Sequence, residues 1–124
     1  MLYRTIPKNG DALSILGFGL MRLPMTQDRQ IDEERATRQI RSAVDAGVNY
    51  IDTAASYGRG ISQRYIGRVM ATRRDEVFLA TKVWADSVET AEKSLATSLK
   101  VLTDVLNFAR KHRLHLPLKA TKPL

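Results

Sequence analysis

Apolar and polar positions along the chain follow two periods, and the short period typical of β-strands comes first. Two short apolar segments flank Asn9-Gly10, a pair that tolerates positive φ, so residues 2–15 are predicted to form a β-hairpin. Residues 15–24 follow as an apolar run broken by two glycines. Glycine in a strand marks a place where a ligand or another backbone approaches, so we expect a buried strand with an accessible end.

Further along, the apolar spacing changes to three and four residues, which predicts amphipathic helices. The first helix is predicted over residues 33–46, with Asp32 as its N-cap and Gly47 just after its last turn. A weaker helix is predicted over about 61–72. The runs "VNYID" and "EVFLATKVW" read as strands, and the second is continuous enough to suit a sheet covered on both faces. Such alternation predicts an α/β fold with a parallel sheet.

The last part of the chain is predicted to be one long helix ending near residue 111. Asp86 and Glu89 resemble a capping box before its first turn. Pro117 and Pro123 end regular structure beyond it, and no fourth strand with a convincing apolar run follows. One apolar seam is expected along this helix, at a spacing of three or four residues: Val88, Ala91, Leu95, Leu99, Leu102, Leu106 and Ala109.

Composition narrows the function classes. A chain of 124 residues is expected to hold one domain. It has no cysteine and two histidines, both near the C-terminus, so we expect neither disulfides nor a metal site. No stretch reaches the length of a membrane span, and the N-terminus lacks the apolar core of a signal peptide. A cytoplasmic protein is the simplest interpretation.

The net charge of +7 is concentrated at the C-terminal end. Residues 1–99 carry 14 basic and 12 acidic side chains, which gives +2, whereas residues 100–124 carry 6 and 1, which gives +5. A basic tail can bind nucleic acid or anionic lipid, or it can be a solvated chain end. No nucleic-acid-binding motif accompanies it, so we expect the solvated end, with no specific nucleic-acid or membrane partner.

Three polar residues stand where parallel strands of an α/β fold place their chemistry. Asp52 and Lys82 lie near the C-terminal ends of successive predicted strands, and Tyr57 follows the first of them. A lysine held by a carboxylate stays charged, and it stabilises a neighbouring phenolate, so the tyrosine could donate a proton to a carbonyl oxygen. On spacing alone, an ordinary salt bridge and a packed tyrosine remain the alternative.

At "GVNYIDTAASYG" the chain resembles the aldo-keto reductase family. "MLYRTIPKNGDALSILGFGLMRLP" is similar to the opening of the iron–sulfur-type subgroup of its bacterial and archaeal members, and "FLATKVW" resembles the lysine-bearing strand. The resemblance covers about residues 1–102. It implies a (β/α)8 TIM barrel with an N-terminal hairpin, and NADPH-dependent reduction of small aldehydes or ketones to alcohols.

The resemblance also implies roles for individual residues. Tyr57 would be the proton donor, Lys82 would assist it and Asp52 would hold Lys82. Besides Asp52, the residues expected to contact the cofactor are Gly19, Met21 and Arg22 after the first barrel strand. No metal ligands are implied.

The match becomes weaker towards the C-terminus. His112 falls near the position of the family's catalytic histidine, but "NFARK" before it is a poor buried strand, so an exposed tail histidine is expected. Residues 1–102 are predicted to be a partial barrel of about three β/α units, and residues 103–124 a divergent helical end with a basic tail.

Two functions follow from this incomplete match. The chain is either a truncated NADPH-dependent reductase with weak or no activity, or a non-catalytic half-barrel that acts, if at all, by self-association. Three strands would leave both edges of the sheet open, which offers a route to a homo-oligomer.

Overall fold

The computed structural model describes the backbone of residues 1–111 and the side chains of residues 1–103. His112 and the predicted basic tail therefore lie outside the described residues, as do the side chains of Leu106 and Ala109. The elements, in chain order, are β1 (Tyr3–Thr5), β2 (Ala12–Ser14), β3 (Phe18–Gly19), α1 (Glu33–Asp45), β4 (Tyr50–Asp52), α2 (Ile61–Val69), β5 (Phe78–Ala80) and α3 (Val88–Lys111).

The predicted N-terminal hairpin is confirmed. Strands β1 and β2 pair antiparallel, with Arg4 opposite Leu13. In the connecting turn Gly10 has a φ of +80°, while Asn9 does not share the positive φ expected for both. The amide of Gly10 donates to the carbonyl of Ile6 at 2.9 Å, which closes the turn.

Asn49 fastens the hairpin to the rest of the fold. Its side-chain oxygen accepts from the amide of Ser14 at 2.8 Å, and its side-chain nitrogen donates to the carbonyl of Ala12 at 2.9 Å. On the neighbouring loop, the Tyr3 hydroxyl donates to the carbonyl of Gly47 at 2.8 Å. A Cβ at Gly47 would lie 2.7 Å from that hydroxyl, so this contact needs a glycine. The hairpin is thus held across the start of β4.

Strands β3, β4 and β5 form a parallel sheet in that order, as the alternation predicted. Gly19 pairs with Asp52, and Asp52 pairs with Ala80, so the C-terminal ends of the strands meet at one edge. Because successive residues of a strand face opposite ways, one face carries Ile51 towards the helices and the other carries Asp52. We call these the helix face and the open face.

The helix face closes the core. Ile51 is fully buried, and Leu20 just beyond β3 packs with it. The amphipathic faces predicted for the first two helices supply the other side of this core, chiefly through Ala36, Ile40, Val44, Tyr65, Ile66 and Val69. The first helix has its predicted cap, since an Asp32 carboxylate oxygen accepts from the amide of Arg35 at 3.0 Å.

Strand β5 departs from its sequence pattern. The apolar run "EVFLATKVW" predicted a strand covered on both faces, but only Phe78–Ala80 is strand. Val77 is buried, whereas Phe78 on the open face is 38% exposed and Trp84 is 97% exposed. The prediction fails because the described residues place helices on one face of the sheet only.

Helix α3 was predicted with the correct length but with the wrong cap. The capping pair is Ser87 and Thr90, not Asp86 and Glu89: the Thr90 amide donates to Ser87 Oγ at 3.2 Å, and the Ser87 amide donates to Thr90 Oγ1 at 3.1 Å. Asp86 contributes by accepting from the Thr90 hydroxyl at 3.0 Å. The chain therefore enters the helix one residue later than the sequence signature indicated.

The apolar seam predicted for α3 coincides with its contact face only in part, because Ala91 and Leu102 of that seam are half-buried. Helix α3 packs against α2 through Ser98, which is buried, and the half-buried Leu102. Val88, Leu95 and Leu99 of the predicted seam are exposed. Ser98 is buried because its hydroxyl oxygen accepts a hydrogen bond from the Gln63 side chain of α2, which the apolar spacing did not indicate.

Candidate functional site

The lysine and the aspartate predicted to meet are in direct contact. Asp52 ends β4, and Lys82 follows β5 by two residues, which brings both side chains to the open face. Lys82 Nζ lies 2.7 Å from each carboxylate oxygen of Asp52 and donates at 3.2 Å to the backbone carbonyl of Thr53. The ammonium group is therefore held by three oxygens at the C-terminal edge of the sheet.

Tyr57 completes the cluster. It begins the short turn that joins β4 to α2 and is half-buried. Lys82 Nζ lies 4.7 Å from the centre of its ring, which is a cation–π distance. The ammonium group is thus placed between the Asp52 carboxylate and the Tyr57 ring.

The electrostatics favour a charged lysine. The hydrogen bond with Asp52 raises the pKa of Lys82 above its ordinary value, the Tyr57 phenol acts in the same direction, and the modest loss of solvation opposes both. About half of the Lys82 side chain and a third of that of Asp52 are exposed, so solvent screens this pair. Lys82 is a cation throughout the neutral range, and its charge is available to whatever lies on the open face.

Buried polar side chains support this edge of the sheet from the helix face. The Thr53 hydroxyl donates to Ser62 Oγ at 2.9 Å, and Ser62 in turn donates to the carbonyl of Leu20 at 3.3 Å. These hydrogen bonds tie the end of β3, the end of β4 and the start of α2 together. They fix the residues on either side of Asp52 without using any group on the open face.

Gln63 plays the same part for the end of β5. Its side-chain amide donates to Thr81 Oγ1 at 2.7 Å and to Ser98 Oγ at 3.0 Å, and it is buried. Thr81 immediately precedes Lys82, so the Gln63 amide joins α2 and α3 to the backbone that carries the lysine. Its position on the buried side of an amphipathic helix is the sequence signal from which this role could have been predicted.

The residues predicted to meet the cofactor line the same edge. Gly19 pairs with Asp52, is exposed, and would have open space around an added Cβ. Met21 is 62% exposed, and Arg22 beside it is exposed as well. At Gly17, in contrast, the Tyr50 ring lies close to the backbone, and an added Cβ would be 3.0 Å from that ring. The open side of Gly19 leaves room for a planar ring next to Asp52.

Thr53 also contributes to the site, but no side-chain pattern could reveal this, because Thr53 contacts Lys82 through its backbone carbonyl.

Within residues 1–103, no cluster of three or more potential metal ligands occurs. Nor does the described part of the chain contain a helix that is both long and apolar enough to cross a membrane.

With this geometry in place, comparison with known proteins decides the family. The sequence model of the Aldo/keto reductase family matches residues 15–109, more than half of the chain. The chain belongs to the aldo/keto reductase family. It is 36% identical over 88 residues to aldo-keto reductase YhdN of Bacillus subtilis. The aligned region covers 69% of this chain and 27% of that protein.

Solved structures of aldo/keto reductases share the fold. The structure of PA4992, a putative aldo-keto reductase from Pseudomonas aeruginosa, matches with a TM-score of 0.68 and 28% identity over 82% of this chain and 43% of that one. An aldo-keto reductase from Klebsiella pneumoniae in complex with NADPH matches with a TM-score of 0.67 and 24% identity, over 83% and 36%. The predicted fold class is confirmed: the described residues form the hairpin and three β/α units of a (β/α)8 barrel, the third of which ends in the long helix α3.

This chain spans less than half the length of the reductases to which it was compared. Membership of the family is shown by the match over residues 15–109. What the chain does with its own Asp52, Tyr57 and Lys82 is the subject of a proposal.

Proposed function

We propose that this chain carries the proton-transfer half of an NADPH-dependent carbonyl reductase acting on small aldehydes or ketones. The observation that carries the proposal is the placement of the Lys82 ammonium group between the Asp52 carboxylate and the Tyr57 ring. Three residues from two successive strand ends meet there, and barrel enzymes place their chemistry at that end of the strands.

In this proposal Tyr57 is the general acid. Reduction adds a hydride to the carbonyl carbon and a proton to its oxygen, and NADPH supplies the hydride when bound. The Tyr57 hydroxyl gives its proton to the oxygen as the C=O double bond becomes a C–O single bond, which leaves a phenolate and an alcohol. The nearby Lys82 ammonium stabilises that phenolate, and Asp52 keeps the ammonium in place.

The residues on the open face fit the nicotinamide end of the cofactor. The exposed backbone of Gly19, with space where a Cβ would stand, adjoins Asp52. We assign Gly19, Met21, Arg22 and Asp52 to this contact. The NADPH-bound Klebsiella relative has the same fold, which supports NADP(H) as the cofactor here.

Several finer assignments belong to the same proposal. The opening 24 residues favour the iron–sulfur-type subgroup, and residues 1–102 and 103–124 are proposed as the barrel part and the divergent end. We place the protein in the cytoplasm. For the chain by itself we expect weak turnover or none, because its described residues supply three of the eight strands that surround a barrel site.

The test starts with NADPH binding, followed by fluorescence titration, and continues with NADPH oxidation in the presence of an aldehyde. Tyr57→Phe should keep cofactor binding and lower any turnover by about a hundredfold or more, the usual size of general acid catalysis. Tyr50→Phe is the matched control, since Tyr50 lies on the same face of β4, two residues before Asp52. It should leave turnover unchanged.

Three outcomes would contradict the proposal. Equal turnover of the Tyr57→Phe variant and the unchanged chain would remove Tyr57 from the reaction. Turnover at the rates of full-length reductases would contradict the expectation of weak activity, and failure to bind NADPH at all would remove the enzymatic function.

A second candidate function is self-association without catalysis. Strands β3 and β5 lie at the two edges of the described sheet. Five apolar side chains that follow β5 in the sequence are exposed: Val83, Trp84, Val88, Leu95 and Leu99. Apolar surface of this kind marks interaction sites. Light scattering across a concentration series tests it: Trp84→Glu should reduce association, and a monomer at every concentration would exclude it.

A further inference from the structure

A second concave surface begins directly after Tyr57. It is a pocket of about 490 Å³ between the turn that follows β3 and the segment that leads into α2. Met25 and Ile31 contribute apolar walls, and Arg29 and Arg59 contribute charge. A volume of this order suits a small molecule.

Both arginines have an unfavourable backbone conformation. Arg29 has a φ of +58° and Arg59 a φ of +57°, and among residues 1–111 they are the two non-glycine residues with positive φ. L-residues other than asparagine and aspartate avoid that region because the Cβ crowds the backbone. Backbone strain of this kind concentrates at functional sites, and here both cases lie in one pocket.

The turn around Arg29 shows that glycine would suit the position better. The amide of Thr26 donates to the carbonyl of Gln30 at 2.8 Å, and the amide of Arg29 donates to the carbonyl of Thr26 at 3.1 Å. Short hairpin turns of this type usually place glycine at the left-handed position. Arg59 likewise stands between two glycines of positive φ, Gly58 and Gly60.

The charges of the pocket are unbalanced. Arg38, Arg68 and Arg73 are ion-paired, but neither Arg29 nor Arg59 has an ion pair within the described residues. One carboxylate, that of Asp28, also lines the pocket. Two arginines and one aspartate therefore line the pocket, which leaves one positive charge in excess. Guanidinium binds carboxylate and phosphate oxygens through paired hydrogen bonds.

We propose that Arg29 and Arg59 form an anion subsite that holds a carboxylate or phosphate group of the carbonyl substrate. Gly58 lines the pocket and directly follows Tyr57, so the subsite adjoins the residue assigned as proton donor. The substrate class is then a carbonyl compound with an anionic group. The carbonyl part of this inference rests on the proposed function, whereas anion binding in the pocket does not.

Anion binding is tested on the full chain at low salt by titration with benzoate and, separately, with inorganic phosphate, followed by NMR. Arg29→Gly and Arg59→Gly should each weaken binding by about threefold or more, because one exposed charged partner is lost. Glycine also relaxes the positive φ, so both variants should remain folded, as checked by circular dichroism. The tighter of the two probes identifies the carboxylate or the phosphate as the preferred group.

Arg64→Gln is the matched control. Arg64 is exposed, has no ion pair among the described residues and does not line the pocket. It removes the same net charge and should leave both titrations unchanged. Unaltered binding in the two glycine variants, an equal loss in Arg64→Gln, or binding of neither probe by the unchanged chain would overturn the proposal.

A pair of substrates separates this inference from the proposed function. 4-Carboxybenzaldehyde should be reduced faster than its methyl ester, and Arg29→Gly should remove most of that preference. Equal rates for acid and ester would overturn the substrate assignment while the reductase function stands. Anion binding that is lost in the glycine variants, in a chain that does not bind NADPH, would support the subsite and count against the reductase function.

Discussion

The two faces of the β3–β4–β5 sheet have opposite properties, although they are made by alternate residues of the same three strands. On the helix face Ile51 is fully buried and packs with Leu20 of the core. On the open face Asp52, the next residue, forms an ion pair with the half-exposed Lys82. One step along a strand separates a residue that stabilises the fold from one that is available for chemistry.

This difference shows that contacts within the candidate site contribute little to holding its residues in place. An exposed ion pair contributes at most about 1 kcal/mol. Lys82 and Asp52 are instead placed by the strands that carry them, and Thr53 and Gln63 hold those strand ends from the helix side. Substitutions on the helix face should therefore change stability, and those on the open face should change chemistry.

The largest expected effect is on the helix face. Ile51→Ala should lower the free energy of unfolding by about 3 kcal/mol, because it leaves a cavity in a fully buried site. Phe78→Ala removes a larger side chain from the open face, where 38% of it is exposed, and should cost less. Urea unfolding measures both. A greater loss in Phe78→Ala would show that the open face is packed in solution.

The next comparison is between the stabilities of two Tyr→Phe variants, one at the buried Tyr65 of α2 and one at Tyr57 of the candidate site. Tyr65 is buried, and its hydroxyl donates to the carbonyl of Glu33 at 2.7 Å and accepts from Thr37 at 2.6 Å. Tyr65→Phe should cost about 1 kcal/mol or somewhat more because those groups lose a buried partner. Tyr57→Phe should change the stability by less than about 0.5 kcal/mol. If the two variants unfolded at the same urea concentration, the contrast between the faces would be wrong.

Tyr65 also gives a pH test of the helix face. Burial raises the pKa of Tyr65, and the charge of Glu33 adds to this, although the hydrogen bond with Thr37 opposes it. A raised pKa in the folded state means that the stabilisation is present below the unfolded value of about 10 and is lost as the pH rises through the folded value. The unchanged chain should therefore lose more stability between pH 9 and 11 than Tyr65→Phe, as thermal melts would show.

Much of this arrangement could be predicted from local sequence patterns. The hairpin turn at Gly10, the Asp32 cap and the order of strands and helices depend on nearby residues, and the structure agrees with them. The contact between Asp52 and Lys82 was also predictable, because parallel strands bring their C-terminal ends to one edge. The spacing of the strands was therefore sufficient to predict that Asp52 and Lys82 meet.

The rest depended on which surfaces find a partner, and periodicity does not contain that information. Leu95 and Leu99 fit an apolar seam by spacing, yet Ser98 is the buried residue because Gln63 offers it a hydrogen bond. Trp84 ends an apolar run but has no neighbouring layer among the described residues. The pocket at Arg29 and Arg59 was missed because positive φ at arginine has no signature in residue spacing.

The smallest expected effect on stability is at Arg73, which follows α2 and donates hydrogen bonds to Asp45 at 2.7 Å and to Glu76 at 2.7 and 2.8 Å. The hydrogen bonds from Arg73 lower the pKa of Glu76, although burial and the charge of Asp45 oppose this. The contribution of Glu76 is therefore present above the unfolded value of about 4.5 and is lost as the pH falls through the folded value. Glu76 is about half exposed, so Glu76→Gln should cost less than about 1 kcal/mol at pH 7. The difference in stability between Glu76→Gln and the unchanged chain should disappear in urea titrations at acidic pH. Glu92→Gln is the control, because Glu92 is exposed and has no ion pair among the described residues. It should show no difference at either pH. A loss of stability in Glu76→Gln that persisted below the folded pKa would mean that packing, and not charge, holds Arg73, Asp45 and Glu76 together.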